Sequence, residues 1–341
     1  MNSESSSVTI EQKKKMKVMS GTRATGQLHF GHYFGWLSNC LKLQSEDYEC
    51  YFGVMDLHGM TTAYKSTQNI PGWRLDILAE MIAWGLDYEK NTLFIQSDIP
   101  EVLELNLYLA NLTPMGWLER VPTWKDAEEE AKASDTHNLG RFAYPVLQAA
   151  DIGIFFGQLV PVGADQVAHL ELTREIIRRF NHLYKGRIPE PKALLTETPS
   201  LPGLDGRKMS KSYDNGLLLT EEEKNLKKKV NSMKTDSKRL RREDVGNPED
   251  CTVYAFHKLF STNEDLKWVV DGCTTAKIGC GDCKAKLCAN IEEKIKIPRE
   301  KKKDLLNNPK TLVSIMEAGS EKARKEARKN LITIKEWMKL Q

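Results

Sequence analysis

Two pairs of cationic side chains stand out by type and spacing. His29 and His32 lie three residues apart in the run His29-Phe30-Gly31-His32. At the entry of a helix that spacing puts both imidazoles on one side, toward a single ligand. Gly31 between them leaves room for a flat ring against the backbone. Far along the chain, Lys208-Met209-Ser210-Lys211-Ser212 offers two ammonium groups, with the hydroxyls of Ser210 and Ser212 between and after them. On a loop these converge on a phosphate chain. Taken singly, each run is also what an ordinary exposed segment contains. A third set, Tyr144, Gln148 and Asp151, falls at i, i+4 and i+7, a polar face on an otherwise apolar helix that predicts a pocket with a few placed polar groups. The fourth is sulfur: Cys251, Cys273, Cys280 and Cys283, closing on a Cys-x-x-Cys pair, with Cys288 as an alternative member. Four thiolates suit structural zinc or a [4Fe–4S] cluster.

These groups need elements to hold them. Lys17–Ser20 reads as a first strand running into the glycine-bounded turn 21–26, and His29–Leu43 as a helix with Tyr33, Trp36, Leu37 and Leu41 on its apolar side. Free amides at such a helix start, reached through small residues, form a cradle for an anion or nucleotide. It is not the dinucleotide fingerprint, which needs Gly-x-Gly-x-x-Gly. Tyr51–Met55 and Thr92–Ile95 are further buried strands, with a helix over 73–84 between them. Ile154–Phe156 and Leu159–Val162 continue the strand pattern, and Gln166–Phe180 is another helix. Pro145 is expected at the first position of the helix carrying Asp151. Strands alternating with helices imply an α/β fold around a parallel sheet, with ligands at the strand ends. After residue 216 the pattern is helical, broken by a Cys-rich loop at 271–288. Leu201–Arg207, rich in Pro and Gly, reads as a mobile loop at that boundary.

Composition narrows the class. The 341 residues are 40% hydrophobic and 28% charged, with no apolar run long enough for a membrane span. The polar first 15 residues are expected to be a disordered tail and contain no secretory signal, which predicts a cytoplasmic protein with reduced cysteines. Charge is uneven: residues 217–341 carry 28 basic against 20 acidic side chains, and residues 1–216 carry 22 against 27. A basic second half suggests a polyanionic partner; solvated helix faces are the plainer alternative.

Together the motifs resemble the paired signatures of the class I aminoacyl-tRNA synthetases, His-Ile-Gly-His and Lys-Met-Ser-Lys-Ser, with Phe30 the one departure. The stretches Tyr144–Asp151, Val160–His169 and Tyr51–His58 are similar to the tryptophanyl-tRNA synthetases within that class. The resemblance covers the chain from about Val18. It implies a Rossmann-like parallel-sheet catalytic domain over 16–216, and a C-terminal all-helical, anticodon-binding domain over 217–341. It implies ATP with Mg²⁺, an aminoacyl-adenylate, L-tryptophan and tRNA(Trp) as substrates, and a homodimer. Residue by residue it assigns catalysis to His29, His32, Lys208 and Lys211. ATP falls to Arg23, Ala24, Thr25, Gly31, His32, Gly163, Ala164, Asp165, Lys208, Met209, Ser210, Lys211 and Ser212. Tryptophan falls to His58, Tyr144, Gln148, Asp151 and Gln166, with Asp151 accepting the indole N–H. Arg23, Gln148 and His32 stand where Gln, Met and Asn are usual. A subgroup of these enzymes holds a [4Fe–4S] cluster on cysteines spaced like Cys251, Cys273, Cys280 and Cys283, the first gap here being one residue shorter; zinc is the second choice. Lys227–Lys229, Lys238, Arg239, Arg241 and Arg242, with Lys277, Lys284 and Lys286, are expected to meet tRNA phosphates. Two alternatives remain at this point: a tyrosyl-tRNA synthetase, with Gln148 and Asp151 serving a phenol hydroxyl, and a tRNA-interacting nucleotide-binding protein without catalysis.

Overall fold

The computed structural model describes residues 15–122, 124, 137–163, 166–195, 201–209 and 213–340. Most of the expected N-terminal tail, and Ala164, Asp165, Ser210, Lys211 and Ser212, lie outside the described residues.

Five parallel strands form one sheet: β1 (Met16–Arg23), β2 (Tyr48–Met55), β3 (Thr92–Ile95), β4 (Leu159–Val162) and β5 (Lys192–Leu195), in spatial order β3-β2-β1-β4-β5. Successive strand residues point to opposite faces. Val18, Phe52, Val54, Leu93, Ile95 and Leu159 enter one hydrophobic core, while Met19, Tyr51, Met55, Phe94 and Val160 enter the other. Both faces are covered, so the strands read as nearly continuous apolar runs. On the first face pack α1, helical through Phe30–His32, Tyr33–Leu37 (a π turn) and Ser38–Leu43, and α3 (Ile70–Ala83). Between them, α2 (Asp56–Ala63) follows β2 directly. On the second face pack α4 (Pro100–Leu112), α5 (Leu139–Ile154) and α6 (Val167–Tyr184). Strand order turns at β1, with β2 on one side and β4 on the other, so the carboxyl ends of β1 and β4 flank the natural ligand crevice.

Three local expectations are corrected. Ile154–Phe156 is no strand: Ile154 ends α5 and Phe156 sits in a turn at φ 55°. Pro145 lies inside α5, because Asn138 caps the helix six residues earlier than Tyr144, its side chain accepting the Arg141 N–H. The Cys-rich region is mostly helix: α9 (Asn263–Thr274) carries Cys273, and α10 (Cys280–Asn307) begins at Cys280.

Among the described residues, the second half of the chain adds α7 (Glu223–Ser232), α8 (Thr252–Phe260) and α11 (Pro309–Trp337) to α9 and α10. They share the sheet's cores: Leu226, Phe256, Leu287 and Ile291 join the first. The last helix spans both, with Leu312 in the first core and Ala323, Ala327 and Leu331 in the second. Midway it crosses the open edge of β3. There Ser320 Oγ accepts the Ile95 N–H at 3.2 Å and donates to Asp98 at 2.8 Å. Gly319 is required at this crossing, since a Cβ would fall 1.8 Å from the Leu93 carbonyl oxygen.

Candidate active site

The turn after β1 is fixed from several sides. Trp36 Nε1 donates to Ser20 Oγ at 2.9 Å, and that hydroxyl donates to the Pro161 carbonyl at 3.1 Å, so α1 is tied to both β1 and β4. Arg23 ends β1 with a hydrogen bond to Thr62 Oγ1. Arg23 is exposed at the end of β1, yet the protein crowded around its guanidinium lowers its affinity for its proton, with Tyr144 acting the other way and Arg141 adding to the lowering. Ala24 is fully buried and its N–H donates to the Met55 carbonyl, while Thr25 N–H turns back to the Arg23 carbonyl. His29 is buried and His32 half-buried. Their ring centroids are 3.9 Å apart, and His32 Nδ1 accepts the His29 N–H. Gly31 has no room for a side chain: a Cβ would sit 2.8 Å from the His29 ring. Its N–H meets Met209 Sδ at 3.4 Å, which joins the two signatures directly.

The second signature rests on a stapled base. Asn215, buried, donates to Asp205 Oδ1 at 2.8 Å and to the Lys208 carbonyl at 3.2 Å, while its own carbonyl accepts Leu204 N–H. Arg207 pairs with Asp205 and lies over the Tyr213 ring. Leu201–Arg207 is thus a hydrogen-bonded turn. Just beyond, Leu217–Leu219 lies beside Leu28–Phe30: Phe30 N–H donates to Leu217 O at 2.9 Å and Leu219 N–H to Leu28 O at 3.0 Å.

Between the end of β4 and α5 lies a polar network in an apolar setting. Asp151 is 3% exposed. Its Oδ2 lies 2.8 Å from His58 Nε2, and Gln96 Nε2 donates to both carboxylate oxygens at 2.8 and 3.0 Å. Gln96 Oε1 in turn accepts the His58 N–H. A second chain joins Tyr144 Oη to His169 Nε2, and His169 Nδ1 to Gln166 Oε1 at 2.9 Å. Gly163 accepts the Gln166 N–H as the chain turns from β4 into α6. His58, Tyr144, Asp151 and Gln166 are therefore gathered as expected. Gln148 is half-buried on the same helix and, among the described residues, joins neither network. Gln96 belongs to the site without a signal in the motifs, and His169, though it ends the Val160–His169 stretch one helical turn after Gln166, joins the site with no role expected for it. Gln96 follows β3 at once, and a polar residue at a strand's carboxyl end is the clue that could have found it.

The four cysteines approach one another from separate elements. Cys251 stands just before α8, Cys273 sits in the last turn of α9, and Cys280 and Cys283 open α10. Burial first, then the fields of Cys251, Cys273 and Cys280, push the Cys283 thiol up to about 12. Arg239 Nη1 donates to Cys273 Sγ at 3.8 Å, and His257 Nε2 lies 3.4 Å from Cys283 Sγ. Cys288 is instead in the core, in the field of Lys227. Among the described residues, no three Cys, His, Asp or Glu side chains are close enough to share one metal ion.

Sequence comparison fits this site. The profile of the class I tRNA synthetases (W and Y) matches residues 11–295, and the chain belongs to that family. Its similarity runs to tryptophan--tRNA ligases over nearly full length. That of Thermotoga maritima is 44% identical over 95% of this chain and 99% of its own. That of Aquifex aeolicus is 38% identical over 95% and 100%. The tryptophanyl-tRNA synthetase of Campylobacter jejuni, solved with ADP and tryptophan, superimposes with a TM-score of 0.84 at 34% identity, covering 95% of this chain and 99% of that one.

Proposed function

We propose that the chain is a tryptophan-tRNA ligase: it activates L-tryptophan with ATP and transfers the aminoacyl group to tRNA(Trp). The observation that carries this reading is the buried Asp151 carboxylate, clamped by His58 and Gln96 beside the Tyr144–His169–Gln166 chain. A fixed buried acceptor suits the single N–H of an indole, and Tyr144 and Gln166 suit an ammonium group.

The substrate carboxylate attacks the α-phosphorus of ATP, and pyrophosphate leaves in line. The protein contributes placement and charge. Arg23, Ala24, Thr25 and Gly31 seat the nucleotide, with Gly163, Ala164 and Asp165 at the ribose. His29 and His32 meet the phosphate oxygens, and Lys208 and Lys211, with Met209, Ser210 and Ser212, meet the departing pyrophosphate. Mg²⁺ arriving with the nucleotide would neutralise part of the charge on those phosphates. The test is ATP–pyrophosphate exchange: it depends on tryptophan and barely responds to tyrosine. Faster exchange with tyrosine would move the chain to the tyrosine branch.

Residues 16–216 form the catalytic domain and 217–341 the tRNA-binding domain. Of the basic residues expected at tRNA, Arg239 is buried against the Cys273 turn, Lys227, Lys229, Lys238, Arg242 and Lys286 pair with nearby carboxylates, and Lys284 donates to the Asn231 carbonyl, which leaves Lys228, Arg241 and Lys277 as the exposed candidates. A homodimer seam fits the exposed Leu103 and Leu107, one turn apart on α4, with Met115 beyond. No described helix is long and apolar enough to cross a membrane. Work in the cytoplasm follows from the place of this reaction in protein synthesis.

Cys251, Cys273, Cys280 and Cys283 are the residues that would hold a [4Fe–4S] cluster. Their mutual electrostatic influence and the donors Arg239 and His257 support this reading. Zinc on the same four thiols is the second choice. The cluster would pin the 275–279 turn to α8. A Cys280→Ser/Cys283→Ser variant loses iron when the protein is purified without oxygen; full iron content would overturn the ligand assignment.

A further inference from the structure

A buried ion pair lies outside the groups assigned to ATP, tryptophan, tRNA or metal. Glu80, on α3, is fully buried. Lys302, on α10, is 4% exposed; its Nζ lies 2.9 Å from Asp76 Oδ2, 3.4 Å from Thr220 Oγ1 and 3.5 Å from Glu80 Oε1. One ammonium group thus serves two carboxylates a helical turn apart. Burial raises the proton affinity of Glu80, and Lys302 is the main influence against it.

A buried pair of this kind is weak support for stability, since apolar residues of similar size often serve as well or better. Its geometry serves something more particular. Each oxygen of Glu80 goes to a different segment beside the site. Oε2 accepts the N–H of Leu28, the residue before His29, at 3.2 Å. Oε1 accepts the hydroxyl of Thr220 at 2.9 Å. Thr220 ends the segment that leaves the Lys208–Ser212 signature and pairs with Leu28–Phe30. On the same helix as Lys302, Arg299 Nη1 donates to the Glu221 carbonyl at 2.7 Å. The carboxylate is therefore a bracket across the end of the pairing that sets one signature against the other, and α10 holds it in place.

We infer that Glu80 and Lys302 are positioning residues for adenylate formation, fixing the distance between the His29 turn and the Lys208–Ser212 loop. This deepens the activity proposed above and rests on it. The groups so placed meet charge that grows in the transition state, so misplacing them lowers kcat rather than weakening tryptophan binding.

The experiment uses the full chain, with exchange rates per titrated active site, tryptophan binding by calorimetry and thermal unfolding measured for each variant. Tryptophan-independent exchange in the unaltered protein would remove the proposed activity itself, before any variant is examined. Given that activity, Glu80→Leu/Lys302→Met removes the charges of Glu80 and Lys302 and both hydrogen bonds of Glu80, leaving the Asp76 carboxylate, which is partly exposed, to water. Glu80→Gln/Lys302→Met removes the charges but keeps an acceptor for Leu28 and a donor for Thr220. The first is expected to fold with a near-normal melting temperature, to lose at least tenfold in kcat and to bind tryptophan within twofold of normal. The second is expected to keep kcat within threefold. Normal kcat in the Leu/Met variant, or an equal loss in both, would overturn the inference. Should neither fold, Thr220→Val leaves the buried charges intact and cuts one arm of the bracket. It is expected to lower kcat at least threefold, and unchanged kcat there overturns the inference as well.

Discussion

Replacing Gln96 by Ala tests the pocket at a residue with no signature of its own. Gln96 is fully buried and does two things: its amide nitrogen donates to Asp151, and its oxygen accepts the His58 N–H. Both contacts to Asp151 come from one NH₂ group, so they count as one hydrogen bond to a charged acceptor, worth about 1.5–3 kcal/mol. The stranded His58 N–H adds about 1–3 kcal/mol if no water replaces the acceptor. The protein without substrate therefore loses about 2.5–6 kcal/mol, visible as a lower denaturation midpoint. Tryptophan feels only the part that frees Asp151 to turn. That predicts a loss of about 10- to 100-fold in kcat/KM for tryptophan, or about 1.4–2.7 kcal/mol, with KM for ATP unchanged. Gln96→Glu sharpens the test. It sets a second carboxyl against Asp151, and two such groups so close cannot both ionise without cost. The pair then holds one proton with its upper pKa raised. While protonated, the introduced carboxyl donates as the amide does, so activity is present below that raised pKa and falls as pH climbs through it. A Gln96→Glu profile identical to that of the unaltered enzyme, or a Gln96→Ala defect confined to ATP, would refute the clamp.

Other predictions concern single contacts. Lys208→Ala should slow single-turnover adenylate formation far more than it changes tryptophan affinity; an unchanged rate removes this lysine from the mechanism. Asp151→Ala should cost tryptophan a few kcal/mol, on the order of a buried charge-assisted hydrogen bond, as read by exchange kinetics. Gly319→Ala should lower the unfolding free energy by about 3 kcal/mol or more, because the helix must retreat from Leu93; a denaturant midpoint within error of normal would mean that the crossing adjusts freely.

Four strands are legible in the sequence because their residues are buried on both faces and so form short unbroken apolar runs. The fifth, Lys192–Leu195, lies at the sheet edge with mostly exposed side chains, and Lys-Ala-Leu-Leu has nothing to distinguish it from a loop or helix end. Ile154–Phe156 fails for the opposite reason. A buried helix end and a buried strand share the same apolar composition, and periodicity cannot separate them over three residues. Pro145 misleads because a helix start is marked by its cap, here Asn138, whereas a proline further in costs a hydrogen bond that tertiary packing can offset. In the site, Tyr144 and Asp151 are visible because helical spacing puts them together. Gln96 reaches the same pocket through the folding of a distant segment, which local spacing does not record, whereas His169 stands one helical turn from Gln166 and is open to the same spacing argument.

The crossing of α11 over β3 also has a time attached. The Ile95 N–H and the Ser320 hydroxyl that accepts it are 225 residues apart in the chain. At about 5–20 residues per second of synthesis, the edge strand waits roughly 10 to 45 seconds for its cover. Throughout that interval the nascent sheet presents an open, apolar strand edge, the feature by which chains pair wrongly with one another. Polysomes making this protein hold many such edges close together. The need for a chaperone should therefore be greatest while the helical half is still being made, and should end abruptly once Gly319 can reach Leu93.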